Sequence, residues 1–326
     1  MLLTAEHRPV ACRRCRAALT YAPGSNDALV CQYCGESQPI PQQAQASSSS
    51  YEGWLGAQLE AVPRTEVRTL RCGACGAETT RPPEVLSERC PFCDSPAVTS
   101  GDARLRQPDG VLPFLLDEAA ARAAIVAWER ALWFKPSSFF AAAPAVHALY
   151  LPYWSFDWDV TTEYVLAQKG GGSPAQKRTQ LRASTVLGSA SVPVELGADL
   201  EPWDVEHAQA PNPQFLLGVR AETHGEREGL ARSAALSHRI LDRDFVQSLG
   251  LTPSAQSIVE QKSRVYHAVR IRLLLLPVWS ASFHHGGKTW RVLVNGQSGE
   301  VVGERPVVRA RVVLAALALL VVPTLA

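Results

Sequence analysis

The sequence predicts an α+β protein with two N-terminal four-cysteine ribbons, a β-rich αβ domain with an internal Leu-Pro-x-Trp repeat, and a C-terminal apolar membrane segment. Three observations predict this organisation. All eight cysteines precede residue 94, segments rich in Tyr, Trp, Val and Thr follow residue 146, and residues 312–326 carry no charge. The predicted boundaries are 1–40 for ribbon 1, 41–66 for a linker, 67–100 for ribbon 2, 111–306 for the αβ domain and 307–326 for the membrane segment.

The cysteines have the spacing of metal ligands. They form four Cys-x-x-Cys turns, here called knuckles, and each turn can point two sulfurs at one ion. Two knuckles complete a tetrahedron of thiolates, which zinc favours. The predicted ligands are Cys12, Cys15, Cys31 and Cys34 in ribbon 1, and Cys72, Cys75, Cys90 and Cys93 in ribbon 2. We therefore expect two structural zinc ions, whose binding supplies most of the folding free energy of the ribbons.

Three other uses of the cysteines fit the sequence less well. A redox dithiol needs a pair at a helix N-terminus in a thioredoxin-like unit, and no knuckle has that context. Catalytic zinc needs an open ligand position, which four thiolates do not leave. A disulfide framework requires export, whereas Glu6, His7 and Arg8 stand where a signal peptide is apolar. We therefore expect the thiols to be kept reduced in the cytoplasm.

The charge of the ribbon region argues against nucleic acid as the main partner. Residues 1–110 contain 11 Arg and no Lys against 12 Asp and Glu, a net charge of −1. The basic residues cluster only at Arg13, Arg14 and Arg16, around the first knuckle. Because affinity for DNA or RNA needs several clustered cations, a solvated rim is the preferred interpretation, and a phosphate contact is the alternative.

The segment between the ribbons has the composition of a flexible spacer. It is rich in Pro, Gln and Ser, including a run from Ser47 to Ser50. Its composition predicts that the two ribbons are tethered modules rather than one rigid block.

The elements of the αβ domain follow from caps, alternation and breakers. Asp117 is a predicted N-cap, Pro136 ends the helix that follows, and Asn295-Gly296 marks a hairpin turn. The adjacent His284 and His285 are predicted turn residues, because neighbours on a strand point to opposite faces and rarely share a metal. The predicted elements are helices at 117–134 and 226–249 and strands at 147–168, 179–196, 264–283 and 289–302.

An internal repeat divides this domain. Leu151-Pro-Tyr-Trp-Ser155 resembles Leu276-Pro-Val-Trp-Ser280, and each begins a strand-like segment. The repeat predicts two related αβ halves that pack together. Trp154 and Trp279 could form a ligand platform, but tryptophan on an apolar strand is usually buried, so we expect both in the core.

The C-terminal segment has the composition of a membrane anchor. Residues 312–326 show no polar face, and Arg305, Arg309 and Arg311 lie immediately before them. Fifteen residues of helix reach only about 22 Å, which is short for a full span. Under the positive-inside rule the arginines predict that the bulk of the chain lies on the cytoplasmic side of the cytoplasmic membrane. The alternative is a buried terminal element of the soluble core.

A series of motifs in this order resembles a family of bacterial zinc-ribbon membrane proteins. The motifs are Cys90-Pro-Phe-Cys93, Leu112-Pro113-Phe114, Trp133-Phe134, Tyr150-Leu-Pro-Tyr-Trp154, Leu276-Pro-Val-Trp279, Val294-Asn-Gly-Gln-Ser-Gly-Glu300 and Gly303-Glu-Arg-Pro306. Members are often labelled TFIIB-type zinc-ribbon proteins or, loosely, primosomal protein N′ (replication factor Y). The resemblance covers nearly the whole chain and implies transmembrane helices after the last motif. The chain departs from the family at Arg16, where members tend to have glycine, and in its shorter apolar segment.

Together these observations predict a non-enzymatic, membrane-anchored adaptor. The label primosomal protein N′ would imply a helicase, but the chain lacks the phosphate-binding Gly-x-x-x-x-Gly-Lys-Ser/Thr loop that a helicase needs. It also lacks the His-Glu-x-x-His and Gly-x-Ser-x-Gly motifs of two common classes of hydrolase. Some relatives in the family are encoded beside phage-shock-protein-A-like membrane-stress proteins, which implies such a protein as a possible partner. The alternative function is a nucleic-acid-binding zinc-ribbon protein that uses the arginines of the first knuckle.

Overall fold

A computed structural model describes most of the chain, and its strands form three sheets. The described residues are 10–25, 27–51, 64–80, 89–95, 99–132, 144–167, 172–189, 191–224, 227–252 and 259–305. Two small sheets belong to the ribbons and one large sheet belongs to the αβ domain. The two four-cysteine ribbons and the β-rich domain predicted from the sequence are therefore present, although the domain contains more strand and less helix than an even αβ mixture.

Each ribbon is a three-stranded antiparallel sheet. Ribbon 1 contains β1 (Leu19–Tyr21), β2 (Ala28–Cys31) and β3 (Ser37–Pro39), in the spatial order β1-β2-β3. Ribbon 2 contains β5 (Arg64–Arg71), β6 (Glu78–Thr80) and β7 (Thr99–Arg106), in the spatial order β6-β5-β7. Sheets this small bury little apolar surface, which leaves their stability dependent on other contacts.

The large sheet is built on two long strands. β9 (Val146–Leu166) and β12 (Val259–His285) pair antiparallel along most of their length. β10 (Ala175–Leu187) flanks β9, while β13 (Lys288–Asn295) and then β14 (Val301–Gly303) follow on the other side of β12. Three short strands add to this path: β4 (Ser49–Ser50), β8 (Gly110–Val111) and β11 (Arg220–Ala221).

The Leu-Pro-x-Trp repeat lies at the centre of the large sheet. Leu151 pairs directly with Leu276, so the two motifs run past each other in antiparallel register about a local two-fold axis. Trp154 and Trp279 are only 0% and 4% exposed, which confirms the prediction that both belong to the core.

The order of elements also repeats around this axis. The first series is β8, α1 (Glu118–Arg130), β9 and β10, and the second is β11, α3 (Arg227–Ser248), β12 and β13. Each short strand pairs in parallel with the long strand of the other series, β8 with β12 and β11 with β9. The two series therefore interlock, and their origin from one duplicated unit stays a prediction.

The helices begin near the residues that the sequence predicts. The side chain of Asp117 caps α1 by accepting a hydrogen bond from the Ala120 N–H at 2.8 Å. α3 packs on β9 and β10, and the Trp158 indole donates to the Ser237 hydroxyl at 2.7 Å. The predicted strand at 179–196 is wrong in its second half, since β10 ends at Leu187 and α2 (Val194–Asp199) follows Pro193. Proline there suits a helix start and cannot donate to a strand ladder.

The first part of the linker is bound to the large sheet rather than free. The Ala46 N–H donates to the Ala208 carbonyl at 2.8 Å, and β4 pairs with β12. Gly110 lets the linker approach the large sheet closely at Ala46, because a Cβ on Gly110 would lie 2.4 Å from the Ala46 Cβ. The spacer-like composition of residues 41–51 therefore does not describe their structure.

Among the residues that the structure describes, no helix is both long enough and apolar enough to cross a membrane. The predicted membrane segment, residues 307–326, lies outside the described residues, as does Trp133-Phe134.

Candidate metal centres

In ribbon 1 the four predicted ligands come together. The Cys12 and Cys34 sulfurs lie 3.6 Å apart, the Cys15 and Cys31 sulfurs lie 3.4 Å apart, and all four lie within 4.8 Å of one another. A tetrahedral zinc with bonds of about 2.3 Å separates its sulfur ligands by about 3.8 Å. The donor set therefore fits one metal ion with only small adjustments.

Ribbon 2 repeats this arrangement deeper in the protein. The Cys72 and Cys93 sulfurs lie 3.5 Å apart, and the Cys75 and Cys90 sulfurs lie 3.6 Å apart. Three of these cysteines are buried and Cys75 is half-buried, whereas in ribbon 1 Cys15 is exposed. Both clusters could hold a metal ion, and ribbon 2 shields its site more completely from water.

Each knuckle is closed by its own backbone. The carbonyl of the first cysteine accepts a hydrogen bond from the N–H four residues later, at 2.9 to 3.0 Å in all four knuckles. The residue that donates has a positive φ, which favours glycine. These donors are Gly35 (72°), Gly76 (75°), Arg16 (66°) and Asp94 (56°). Gly35 and Gly76 adopt this conformation without strain, while Arg16 and Asp94 adopt it at a steric cost.

Hydrogen bonds inside the clusters shift the cysteine pKa values in both directions, and they favour the thiolate at Cys31 and Cys75. Backbone N–H groups of Cys34 and Tyr33 lower the pKa of Cys31 to about 6, against the opposing effect of burial. A hydrogen bond with Cys90 lowers the pKa of Cys75 to about 5, and the same bond raises the pKa of Cys90. Because thiolates are the form that binds metal, the lowered pKa values of Cys31 and Cys75 favour metal binding in each cluster.

Ribbon 1 is joined to the large sheet through Tyr21. Its ring contacts Phe215 and Phe114, with ring centroids 5.2 and 6.4 Å away. Its hydroxyl oxygen accepts a hydrogen bond from the buried Phe114 N–H at 3.1 Å, and its own N–H donates to the Leu217 carbonyl at 2.7 Å. Cys12 and Cys31 belong to the same apolar cluster, so the metal site and the core of the sheet are continuous.

Ribbon 2 is joined to the large sheet through hydrogen bonds with β11 and with Thr223, which follows it. The Thr223 N–H donates to the Glu78 carbonyl at 3.0 Å, and the Thr80 hydroxyl donates to the Ala221 carbonyl and accepts from the Ala221 N–H. Phe92, inside the last knuckle, is fully buried among core residues of the sheet. The linker composition predicts loosely tethered ribbons, but the described contacts join each ribbon directly to the large sheet.

Glu222 is a buried acid at the second junction. It is 2% exposed, it forms an isolated bridge with Thr79, and its Oε1 accepts from the Ser191 N–H at 3.2 Å. Its Oε2 has no hydrogen-bond partner within the described part of the chain. Burial raises the pKa of Glu222 to about 7, although hydrogen bonds from Ser189 and Ser191 oppose the shift.

We expect this carboxyl to make stability depend on pH. Between its ordinary pKa of 4.5 and about 7, the folded chain keeps a proton that the unfolded chain has lost, so stability falls as pH rises. Glu222→Gln should therefore stabilise the protein, and the gain should grow by about 1 kcal/mol between pH 6 and pH 8. Urea unfolding of the zinc-loaded protein at both pH values measures this.

Glu300→Gln serves as the control, because Glu300 is exposed on the turn after β13. An equal gain from Glu222→Gln at both pH values would show that Glu222 does not titrate in this interval.

The arginines of the first knuckle lie at the exposed end of ribbon 1. Arg13, Arg14 and Arg16 are all exposed, and Tyr33, on the facing knuckle, is 85% exposed. The sequence identified the arginines but not Tyr33, which occupies an unremarkable x position of its knuckle. It also missed Tyr21 and Glu222, because nothing local marks a residue whose partners lie far along the chain.

Comparison with known proteins adds one distant relative. No family model matches the chain, and no solved structure matches it. The chain is 24% identical over 227 residues to the "Uncharacterized protein YdjG" of Bacillus subtilis (strain 168), a match that covers 63% of the chain and 65% of that protein. The match therefore spans slightly less than two thirds of the relative's length.

Proposed function

We propose that the protein is a non-enzymatic adaptor in which two structural zinc ions fix the ribbons on a β-rich platform. The observation that carries this proposal is that both four-cysteine clusters are continuous with the core of the large sheet. Four thiolates in a tetrahedral arrangement are the donor set of structural zinc and leave no position for water or substrate. The ions would then support a surface rather than perform chemistry.

Two buried ionisable groups, Glu222 and His224, do not line the groove beside α3. Glu222 and His224 are less than 6% exposed, and burial lowers the pKa of His224 to about 4. The groove beside α3 has a volume of about 280 Å³, and the described residues that line it include no acid, cysteine or histidine. This separation favours a binding role over an enzymatic one.

We place the adaptor at the cytoplasmic membrane, with the bulk of the chain on its cytoplasmic side. Support comes from the uncharged run at 312–326 and the preceding Arg305, Arg309 and Arg311. The partner is a protein at the membrane, and a phage-shock-protein-A-like protein is the candidate that the family resemblance implies.

Crosslinking in native membranes tests this function. The full chain is compared with a variant that lacks residues 307–326, and crosslinked partners are identified with and without nuclease. We expect the full chain to sediment with membranes and to crosslink to the same protein after nuclease treatment, and the shortened chain to become soluble. A full chain that stays soluble without detergent, or one that crosslinks to no protein, would contradict the proposal.

A second function has support from the exposed end of ribbon 1. Tyr33 offers a stacking surface beside three exposed arginines, and Arg16 holds a backbone conformation that glycine would adopt more easily. Such a surface fits single-stranded nucleic acid. Binding of DNA or RNA that weakens with added salt would favour this function if both Arg13→Ala and Tyr33→Ala reduce the affinity. Arg13→Ala should also reduce the slope of log affinity against log salt concentration by about one, because it removes one phosphate contact.

A further inference from the structure

The hairpin formed by β12 and β13 projects beyond its neighbours in the large sheet. β9 begins opposite Ala281 of β12, and the paired residues of β14 reach only to Val292 of β13. The hairpin therefore extends past both flanking strands as a two-stranded ribbon, which ends in the pair His285 and Lys288. The end of this ribbon, residues 284–290, is here called the hairpin tip.

The hairpin tip is open to solvent. Gly286, Gly287 and Lys288 are exposed, and among the described residues a Cβ on either glycine would meet no atom within 4 Å beyond its chain neighbours. Both glycines have a positive φ, 60° and 74°, which suits a tight hairpin turn. Trp290 is half-buried, and its indole N–H donates to the His285 carbonyl at 3.1 Å. The tip therefore presents an uncovered surface that is held in shape by its own backbone.

The charge of the projecting hairpin is positive. Residues 282–291 contain Lys288 and Arg291 and no Asp or Glu. The Arg291 side chain is directed back into the protein, where it donates to the Ser191 carbonyl. Lys288 is therefore the cation that the tip presents to solvent.

β14 leads the chain toward this same end of the sheet. The Glu304 N–H donates to the Arg291 carbonyl at 2.9 Å, which continues the ladder with β13 one residue beyond Gly303. In this register Arg305 lies level with Trp290, and it is exposed. The acid of this segment, Glu304, is half-buried, and its carboxylate accepts from the Arg291 N–H at 3.2 Å. A second exposed cation is thus placed beside the hairpin tip.

The uncharged run at 312–326 follows Arg305 after a short interval of sequence. Six residues, 306–311, lie between them, and these include Arg309 and Arg311. Six residues span at most about 20 Å even when fully extended. A bilayer that receives the run, as the proposed function requires, therefore lies within about 20 Å of Arg305.

We propose that the hairpin tip contacts the cytoplasmic surface of the bilayer and binds the headgroups of anionic phospholipids. Lys288 and Arg305 pair with lipid phosphates, because basic residues beside a membrane segment are attracted to an anionic leaflet. The Trp290 ring lies at the level of the headgroups, where tryptophan is favoured. The proposal deepens the adaptor function and rests on it for the membrane anchor. A second contact with the bilayer would fix the orientation of the large sheet relative to the membrane.

Photocrosslinking of the full-length protein in lipid nanodiscs tests this contact. Benzoylphenylalanine replaces His284 at the tip, and in the matched control it replaces Ser298, an exposed residue of the turn at the opposite end of β13. The discs contain phosphatidylcholine alone or mixed with phosphatidylglycerol, and mass spectrometry measures the lipid adducts per chain. We expect adducts with phosphatidylglycerol at position 284 and few at position 298.

A charge reversal at the tip tests the role of the cation. Lys288→Glu should lower the adduct yield at position 284 by about fivefold or more, since each basic residue near an anionic surface strengthens binding by about that factor. Arg270→Glu, which changes an exposed arginine far from the tip on β12, should leave the yield unchanged.

Entry into the discs and formation of adducts separate this proposal from the adaptor function. A full chain that does not enter the discs would contradict both the membrane anchor and the surface contact. A chain that enters the discs but forms adducts equally at positions 284 and 298, or equally with Lys288→Glu, would overturn the surface contact alone. Equal yields in the two kinds of disc would also overturn it, because the proposed ligand is the anionic headgroup.

Discussion

Replacement of Cys90 by serine is expected to lower the metal content from two ions per chain to one and to unfold ribbon 2. Cys90 is 2% exposed, and its sulfur lies 3.6 Å from that of Cys75 within the cluster of four. Structural zinc sites contribute about 10 kcal/mol or more to folding, which is comparable with the whole stability of a domain. A three-thiolate remnant in a small sheet is not expected to stay folded.

The damage should extend to the large sheet. Ribbon 2 holds β11 through the hydrogen bonds between Thr80 and Ala221, and β11 in turn pairs with β9 at Leu149 and Tyr150. When the ribbon unfolds, Phe92 leaves the apolar cluster that it shares with the sheet. We therefore expect faster proteolysis within residues 64–95 and a lower melting temperature for the whole protein.

Metal analysis and limited proteolysis of the reduced protein measure this outcome. Arg68→Ala is the control, because Arg68 is exposed on β5 in the same ribbon and should keep two ions. Cys15→Ser is the reciprocal variant, which should lose the other ion and leave ribbon 2 protected. Two ions per chain in Cys90→Ser would show that Cys90 is not a ligand, and an unchanged melting temperature would show that ribbon 2 does not support the large sheet.

The features that the sequence predicts correctly are local ones. The knuckle spacing brings each set of four cysteines together, since a tight turn and a short strand pair suffice to do so. Asp117 marks the start of α1, and the two Leu-Pro-x-Trp motifs mark the two central strands. In each case the residues that decide the structure are neighbours in sequence or repeat one pattern.

The features that the sequence misses depend on distant contacts. β8 pairs with β12, which lies more than a hundred residues later in the chain. Nothing in the two residues of β8 indicates that they form a strand or which strand they pair with. The spacer-like segment at 41–51 becomes ordered because backbone groups of Ala208 and Ile271 pair with it, a contact that side-chain composition does not encode. The junctions of the ribbons with the sheet are of this kind, and Tyr21 is the strongest example.

Replacement of Tyr21 by alanine is expected to destabilise the protein by about 3 to 5 kcal/mol. Tyr21 is 4% exposed, and its ring fills the space between Phe114 and Phe215. Its removal leaves a cavity at the junction and an unpaired buried N–H on Phe114. Tyr21→Phe keeps the ring and loses only the hydroxyl, so it should cost about 1 to 3 kcal/mol.

Tyr33→Ala separates docking from folding of the ribbon itself. Tyr33 lies in the same ribbon, between Cys31 and Cys34, but it is 85% exposed and should change stability by no more than about 0.5 kcal/mol. Denaturant unfolding monitored by tryptophan fluorescence reports on the large sheet, where Trp154, Trp158 and Trp279 are buried. If ribbon 1 were only tethered, Tyr21→Ala would leave this transition unchanged. If the unfolding midpoint decreases most for Tyr21→Ala, less for Tyr21→Phe and least for Tyr33→Ala, ribbon 1 and the large sheet must unfold together. The reason is that the fluorescent tryptophans lie in the sheet and the substitutions lie in the ribbon.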